Sequence, residues 1–340
     1  MSQEEMRRAG VLERVKTGEI PLGQAARDLR LSYRHVKRLY ARYSAGGAKG
    51  LVHGNAEKPS HHAKPAKLRQ KVLRLVRQQY TGKPGESFGP TLAAEHLAQD
   101  HKLKIDPETL RRWMLAEGLW TPRRKHRAYR RRRPRREQFG ALVQMDGSFH
   151  LWLEQRAGKG CLINMVDDAT STGLGLFDQE ETTWTVADTL RLWVQTYGIP
   201  LALYVDWKNV YHHEPTRRQQ QDGIVPLSQF GRMCAKLGVE LIGAHSPQAK
   251  GRVERSHGTH QDRLIKKLRL RQVKTYPDAN RYLAERYWKE HNTRYAVAPA
   301  NTVDLHRAVP TGLDLEQVFC LESERTLSQD WVVETHRRLL

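Results

Sequence analysis

The sequence predicts a multidomain protein: an all-α N-terminal part, then an α/β domain built on a mixed sheet. Three observations carry this expectation. Up to Glu117 the apolar residues recur at three- and four-residue spacing, the mark of amphipathic helices. From Phe139 the pattern changes to short strand-forming runs, first in succession and then alternating with helical stretches. Between the two lies Arg123 to Arg136, where ten of fourteen residues are Arg or Lys, a density of like charge that cannot pack on itself. The expected divisions are 1–52 and 64–120 (helical modules), 121–138 (basic linker), 139–300 (sheet domain) and 301–340 (tail).

The first division reads as helix, helix, short turn, helix. Met6 to Lys16 places Val11, Leu12 and Val15 on one face, and a second helix from about Leu22 carries Ala25, Ala26 and Leu29. Leu31-Ser32 forms the turn, with Ser32 as N-cap of a helix from Tyr33 to Tyr43. Val36, Leu39 and Tyr40 face inward there, while Arg34, Lys37 and Arg38 face out. This is a helix-turn-helix pattern, which sets its last helix in the DNA major groove; a three-helix bundle with a basic solvent face is the plain alternative.

A second helix-turn-helix or winged-helix-like module follows. Its helices are expected at Lys67 to Tyr80, Pro90 to His101 and Pro107 to Glu117, the last capped by Asp106 and stopped by Gly118. Leu110, Trp113 and Met114 turn inward, and Arg111 and Arg112 outward. Arg123, Arg124, Lys125, Arg130, Arg131, Arg132 and Arg133 then belong to a linker expected to order on phosphate, with a localisation signal or solvated spacer as the alternatives.

Charge points to the same partner. There are 58 Lys and Arg against 37 Asp and Glu, a formal net charge of +21, and so basic a chain usually meets a polyanion, here double-stranded DNA. The three cysteines, Cys161, Cys234 and Cys320, are too few and too scattered for a disulfide framework or a Cys-based zinc site. His61-His62 and His212-His213 lack ligands at metal spacing. No apolar run approaches the roughly 20 residues of a membrane helix, and the start, MSQEEMRRAG, lacks a signal-peptide core. A cytoplasmic location and no membrane partner are therefore expected.

In the sheet domain, strands are expected at about 141–146, 149–154 and 160–167, with a further one at 172–178 and Gly158-Lys159-Gly160 as a hairpin connection. A helix at Thr183 to Tyr197, a strand at 201–205, a helix at Ser228 to Leu237 and a strand at 239–243 follow. Ser246 and Pro247 open a long helix, with Val253, His257, Leu264 and Leu268 on one face and no further proline until Pro277. A ribonuclease-H-like core has this order. Asp146 and Asp206 each close a strand-forming run, and Glu254 sits on the long helix, so the three carboxylates can meet at one end of the sheet. Lys250, Arg252 and Arg255 beside them would hold DNA or form a solvated basic face.

Gln144-Met145-Asp146-Gly147, Tyr204-Val205-Asp206 and Ser246-Pro247-Gln248-Ala249-Lys250-Gly251-Arg252-Val253-Glu254-Arg255 resemble the three acidic motifs of insertion-sequence DDE transposases related to retroviral integrases. Trp288-Lys289-Glu290-His291-Asn292-Thr293-Arg294-Tyr295 is similar to the signature after their catalytic helix, and the loosely defined ISNCY group is the nearest likeness. The resemblance spans essentially the whole chain. It departs from the pattern in the 47 residues between Asp206 and Glu254, with the extra length assigned to Tyr211–Pro226, and in having helical modules where integrases carry a zinc module.

The resemblance implies a bacterial, nucleoid-associated transposase that binds the terminal repeats of a mobile element, and it implies Asp146, Asp206 and Glu254 as catalytic metal ligands. In-line displacement at phosphorus is served by two divalent ions about 4 Å apart, Mg²⁺ or Mn²⁺, held by hard oxygen ligands. Neither a Ser, Tyr or Cys nucleophile nor an organic cofactor is then required. A homo-oligomer is expected in the DNA complex. Asp167-Asp168 is a rival carboxylate pair, read as a turn cap before Ala-Thr-Ser-Thr-Gly with a metal role as the alternative. The competing functions are a DNA-binding regulator or transposition inhibitor with a decayed catalytic domain, and a structure-specific nuclease. The tail from Arg325 alternates like one strand at Trp331–Val333, which cannot make a stable sheet alone; a shortened β domain or a compact tail packed on the core are both open.

Overall fold

The computed structural model describes residues 2–54, 64–82, 86–122, 133–208, 210–211, 221, 226–244, 250–323, 334–335 and 338–339. They form two compact units, Met1–Lys71 and Val72–Leu340.

The first unit holds α1 (Gln3–Lys16), α2 (Leu22–Leu29) and α3 (Tyr33–Gly46). A capping box between Ser2 and Glu5 starts α1. Arg30, left-handed at φ 54°, ends α2, and the Ser32 hydroxyl accepts from the His35 N–H at 3.3 Å to start α3. Leu12, Ala25 and Val36 are fully buried at the centre. Arg34, Lys37 and Arg38 lie on the exposed side of α3.

In the second helical module, α4 (Ala66–Leu75) winds into a π turn at Val76–Tyr80 and is followed by α5 (Pro90–His101) and α6 (Pro107–Ala116). Asp106 caps α6 by accepting from the Thr109 N–H at 2.9 Å. This module does not stand apart from the sheet domain. Glu95 on α5 takes both guanidinium nitrogens of Arg263, at 2.7 and 2.9 Å, and pairs with Arg294 as well. Arg269 donates to the Glu86 carbonyl at 2.9 Å.

The sheet contains β1 (Val143–His150), β2 (Gly160–Asp167), β3 (Gly173–Asp178), β4 (Ala202–Val205) and β5 (Glu240–Gly243), ordered β3-β2-β1-β4-β5. The first three strands pair antiparallel, and β4 and β5 run parallel to β1. This is the ribonuclease-H-like arrangement. Helices α7 (Thr183–Tyr197) and α9 (Gly251–Leu270) both pack on β2, whose eight residues are all buried. Helix α8 (Gln229–Lys236) covers β5.

The structure corrects one strand. No strand runs over 149–154; β1 continues through His150, and Glu154–Arg156 is a short 3₁₀ turn. Trp152 and Leu153 are consecutive and both fully buried, so their apolar character comes from a turn plugged into the core. The Trp152 indole N–H secures that turn on the Ser148 carbonyl at 2.9 Å.

Helix α10 (Tyr276–Tyr282) passes through a π turn at Leu283–Tyr287 into α11 (Trp288–Tyr295). Together they cover the free edge of β3. Asn292 exchanges two bonds with the Gly173 backbone, at 2.8 and 2.9 Å, and Asn280 does the same with Phe177, at 2.7 and 2.9 Å. The Trp288 indole N–H donates to the Gly175 carbonyl between them at 3.0 Å. Side chains thus satisfy the edge that another strand would otherwise pair with.

A short α12 (Leu315–Val318) buries Val318 and Phe319 in the core. β6 (Glu334–Thr335) pairs with β7 (Arg338–Leu339), and the strand expected at Trp331–Val333 lies outside the described residues. Among the described residues, no helix is long and apolar enough to cross a membrane.

Candidate active site

Asp146 lies inside β1, not at its end as the sequence suggested. Its surroundings explain why the difference is harmless. Pairing of β1 with β4 reaches only Gln144↔Tyr204, so two residues further on β1 runs past the end of β4, beside Asp206. Both carboxylates meet one cation: the Lys250 ammonium is 2.9 Å from Asp146 Oδ1 and 2.6 Å from Asp206 Oδ1. The lysine side chain is 5% exposed. His257, one helical stretch further along α9, stands 3.7 Å from Asp146 Oδ2, and burial pushes its pKa down despite the Asp146 charge.

Glu254 occupies the same helix, four residues after Lys250 and three before His257, hence on a neighbouring part of its surface. Val253 and His257 are buried and Glu254 is exposed. The structure therefore brings Asp146 and Asp206 together through Lys250 and leaves Glu254 on the flank of the same helical turn. Among the described residues, no three His, Cys, Asp or Glu side chains are arranged to hold a metal ion.

The start of α9 is fixed from the sheet. Residues 245–249, including the expected openers Ser246 and Pro247, lie outside the described residues, and Lys250 at the N-cap position makes no side-chain cap. The buried Gln144 side chain instead accepts from the Val253 N–H at 3.1 Å and donates to Asp168 at 2.7 Å. Asp168, fully buried, also receives the Arg136 N–H at 2.8 Å, Arg252 at 3.0 Å and Arg133. Asp167 caps its turn through Thr170 and accepts from the Gly140 N–H at 3.0 Å, while burial raises its pKa. The rival pair is thus consumed by structure.

Several residues expected to meet DNA have carboxylate partners in this structure. Lys250 is buried between two aspartates, Arg252 is held by Asp168 with burial pushing its pKa down, and Arg133 pairs with Asp168 as well. Arg135 binds the Asp168 and Ala169 carbonyls, so the end of the basic run is anchored to the protein. Arg255 and Arg112 are exposed, and Arg111 is clasped by Glu108 at 2.6 Å. Arg123, Arg124, Lys125, Arg130, Arg131 and Arg132 lie outside the described residues, as do His61-His62, His212-His213 and most of the Tyr211–Pro226 segment.

The structure adds residues that the sequence reading missed. Glu181, 6% exposed, takes Lys208 at 2.6 Å and the Tyr211 hydroxyl at 2.8 Å. Burial pulls the Lys208 pKa down, but Glu181, Asp146 and Asp206 outweigh it and leave it raised. A Cβ on Gly147 would stand 2.7 Å from Glu181 Oε2 and 3.0 Å from Cys161 Sγ, so only glycine fits after Asp146 without displacement. Burial pushes the Cys161 thiol up to about 12, which keeps it protonated and inert.

No family model matches the chain. The putative transposase y4bF of Sinorhizobium fredii (strain NBRC 101917 / NGR234) is 39% identical over 327 residues, covering 96% of this chain and 70% of that protein. The transposase for insertion sequence IS1202 of Streptococcus pneumoniae is 27% identical over 308 residues, covering 80% of this chain and 64% of its own length, just under two thirds. Among solved structures, the HTLV-2 integrase catalytic core domain in complex with magnesium (dimeric form) gives a TM-score of 0.33 at 17% identity, over 43% of this chain and 84% of that one. The catalytic core domain of BIV integrase gives 0.30 at 21%, over 46% and 99%.

Proposed function

The chain belongs to the transposases, and from that membership we propose that it cuts and joins DNA at the ends of an insertion element by a DDE mechanism, with Asp146, Asp206 and Glu254 holding divalent metal. The observation that carries the proposal is the convergence of Asp146 and Asp206 on one cation, the Lys250 ammonium. Two carboxylates whose oxygens already share a positive charge are a donor set suited to Mg²⁺ or Mn²⁺, which take oxygen ligands.

When bound there, the metal supplies activation of the attacking oxygen and stabilisation of the leaving one. The chain's own residues set the geometry. Gln144 fixes the first turn of α9, the turn that carries Glu254, against β1. Gly147 leaves room for the buried Glu181 beside β1. Arg255, exposed next to Glu254, is placed to meet a phosphate. Arg34, Lys37 and Arg38 on α3 supply end recognition, with Arg112 contributing from the second module. Two copies acting on two ends make a homo-oligomer the working form.

Asp146→Asn, Asp206→Asn and Glu254→Gln should each abolish nicking of labelled element ends in Mg²⁺ while leaving binding of those ends intact. Wild-type nicking by Asp206→Asn would remove the assignment.

A further inference from the structure

A metal ion and the Lys250 ammonium cannot share the two aspartates. Nζ lies 2.9 and 2.6 Å from one oxygen of each carboxylate, and an ion held by those same oxygens at about 2.1 Å would overlap the ammonium and repel it. The lysine side chain is 5% exposed and its charge is held between the two carboxylates. Lys208 is engaged by Glu181 at 2.6 Å. Lys250 is thus the charge that lets Asp146 and Asp206 stand together.

We propose that Lys250 is the built-in counter-cation of the active site, displaced as metal binds and then free to take a DNA phosphate. The proposal rests on the metal-site reading above. Its consequence is linkage: metal binding alone costs a buried ion pair, whereas a nearby phosphate offers the departing ammonium a new partner. Metal and DNA then load together.

The test uses the full chain without DNA, with Mn²⁺ as the probe and water-proton relaxation as the readout. Lys250→Met should bind Mn²⁺ at least about tenfold more tightly than wild type, a difference of roughly 1.4 kcal/mol, and Asp206→Asn in that background should abolish the gain. In the wild-type protein, amine acetylation followed by mass spectrometry should find Lys250 slow to react alone and faster with Mn²⁺, a reading independent of whether the variant folds. If Lys250→Met binds no more tightly while Asp206→Asn still weakens wild-type binding, the metal site stands and the displacement is overturned. Lys250 acetylation that ignores Mn²⁺ overturns it too. Mn²⁺ binding indifferent to Asp206→Asn in both backgrounds defeats the metal-site reading itself.

Discussion

Replacing Asp168 by Asn distinguishes a scaffold carboxylate from a metal ligand. The side chain is fully buried and collects Gln144 at 2.7 Å, the Arg136 N–H at 2.8 Å and Arg252 at 3.0 Å, with Arg133 alongside. Asn keeps the shape but removes the charge and turns an amide N–H₂ toward groups that are all donors. Arg252, 13% exposed, is left without its counter-charge, and breaking such a buried pair costs about 3–5 kcal/mol. Arg133 is about one-third exposed and adds little. In a unit of this size each kcal/mol moves the midpoint by about 2–4 °C, so Tm should fall on the order of 10 °C. Scanning calorimetry of the second unit's transition measures this, and Mn²⁺ titration of the folded variant should match wild type. A variant of native stability that no longer binds Mn²⁺ would refute the reasoning and restore Asp168 as a ligand.

Glu95→Ala should destabilise the second unit by about 3 kcal/mol in urea unfolding, because Arg263, 14% exposed, loses its bidentate partner; an unchanged midpoint would show that the module docks without it. Buried histidines set an acid limit. Burial lowers the pKa of His257, His260 and His291, the last to about 4, so the folded protein binds fewer protons than the unfolded chain. Their contribution is present above the unfolded value of about 6.5, and stability should decline as pH falls through the window from there to about 4. Urea midpoints across that range check the direction, and a flat profile would contradict it. Arg34→Ala, Lys37→Ala and Arg38→Ala combined should weaken binding to element ends and lower the salt slope by up to about 3, measured by fluorescence anisotropy at several salt concentrations; an unchanged slope would exclude α3 as a phosphate-contacting helix.

Where local chemistry decides an element, the sequence was a good guide. Helix α7 was legible to the residue: Thr182 caps it by accepting from the Thr185 N–H at 3.2 Å, and Gly198 at φ 104° ends it. Asp206 was legible for the same reason, as the polar residue closing a short apolar strand. The strand at 149–154 was misread because Trp152 and Leu153 are apolar in a buried turn, and local pattern cannot separate that from a strand end. A basic residue looks alike in sequence whether it faces a phosphate or a buried carboxylate, so the carboxylate partners of Lys250 and Arg252 are not legible there. Their partners Asp146 and Asp168 arrive only through the fold. Glu181 carried no signal at all, since Lys208 and Tyr211 meet it from a different part of the chain. Trp288 and Asn292 were visible as a motif, but their work as an edge cover follows from β3 being the last strand of the sheet.

The central claim is that Asp146 and Asp206 hold the metal that cuts DNA. A crystal of the full chain with element-end DNA and Mn²⁺, measured at the manganese absorption edge, tests it most directly. An anomalous peak bridging the Asp146 and Asp206 carboxylates, with the Lys250 ammonium withdrawn from both and Glu254 turned toward the ion, is the predicted result. A peak at Asp167-Asp168, or Lys250 still seated between the two aspartates beside a cleaved strand, would contradict it.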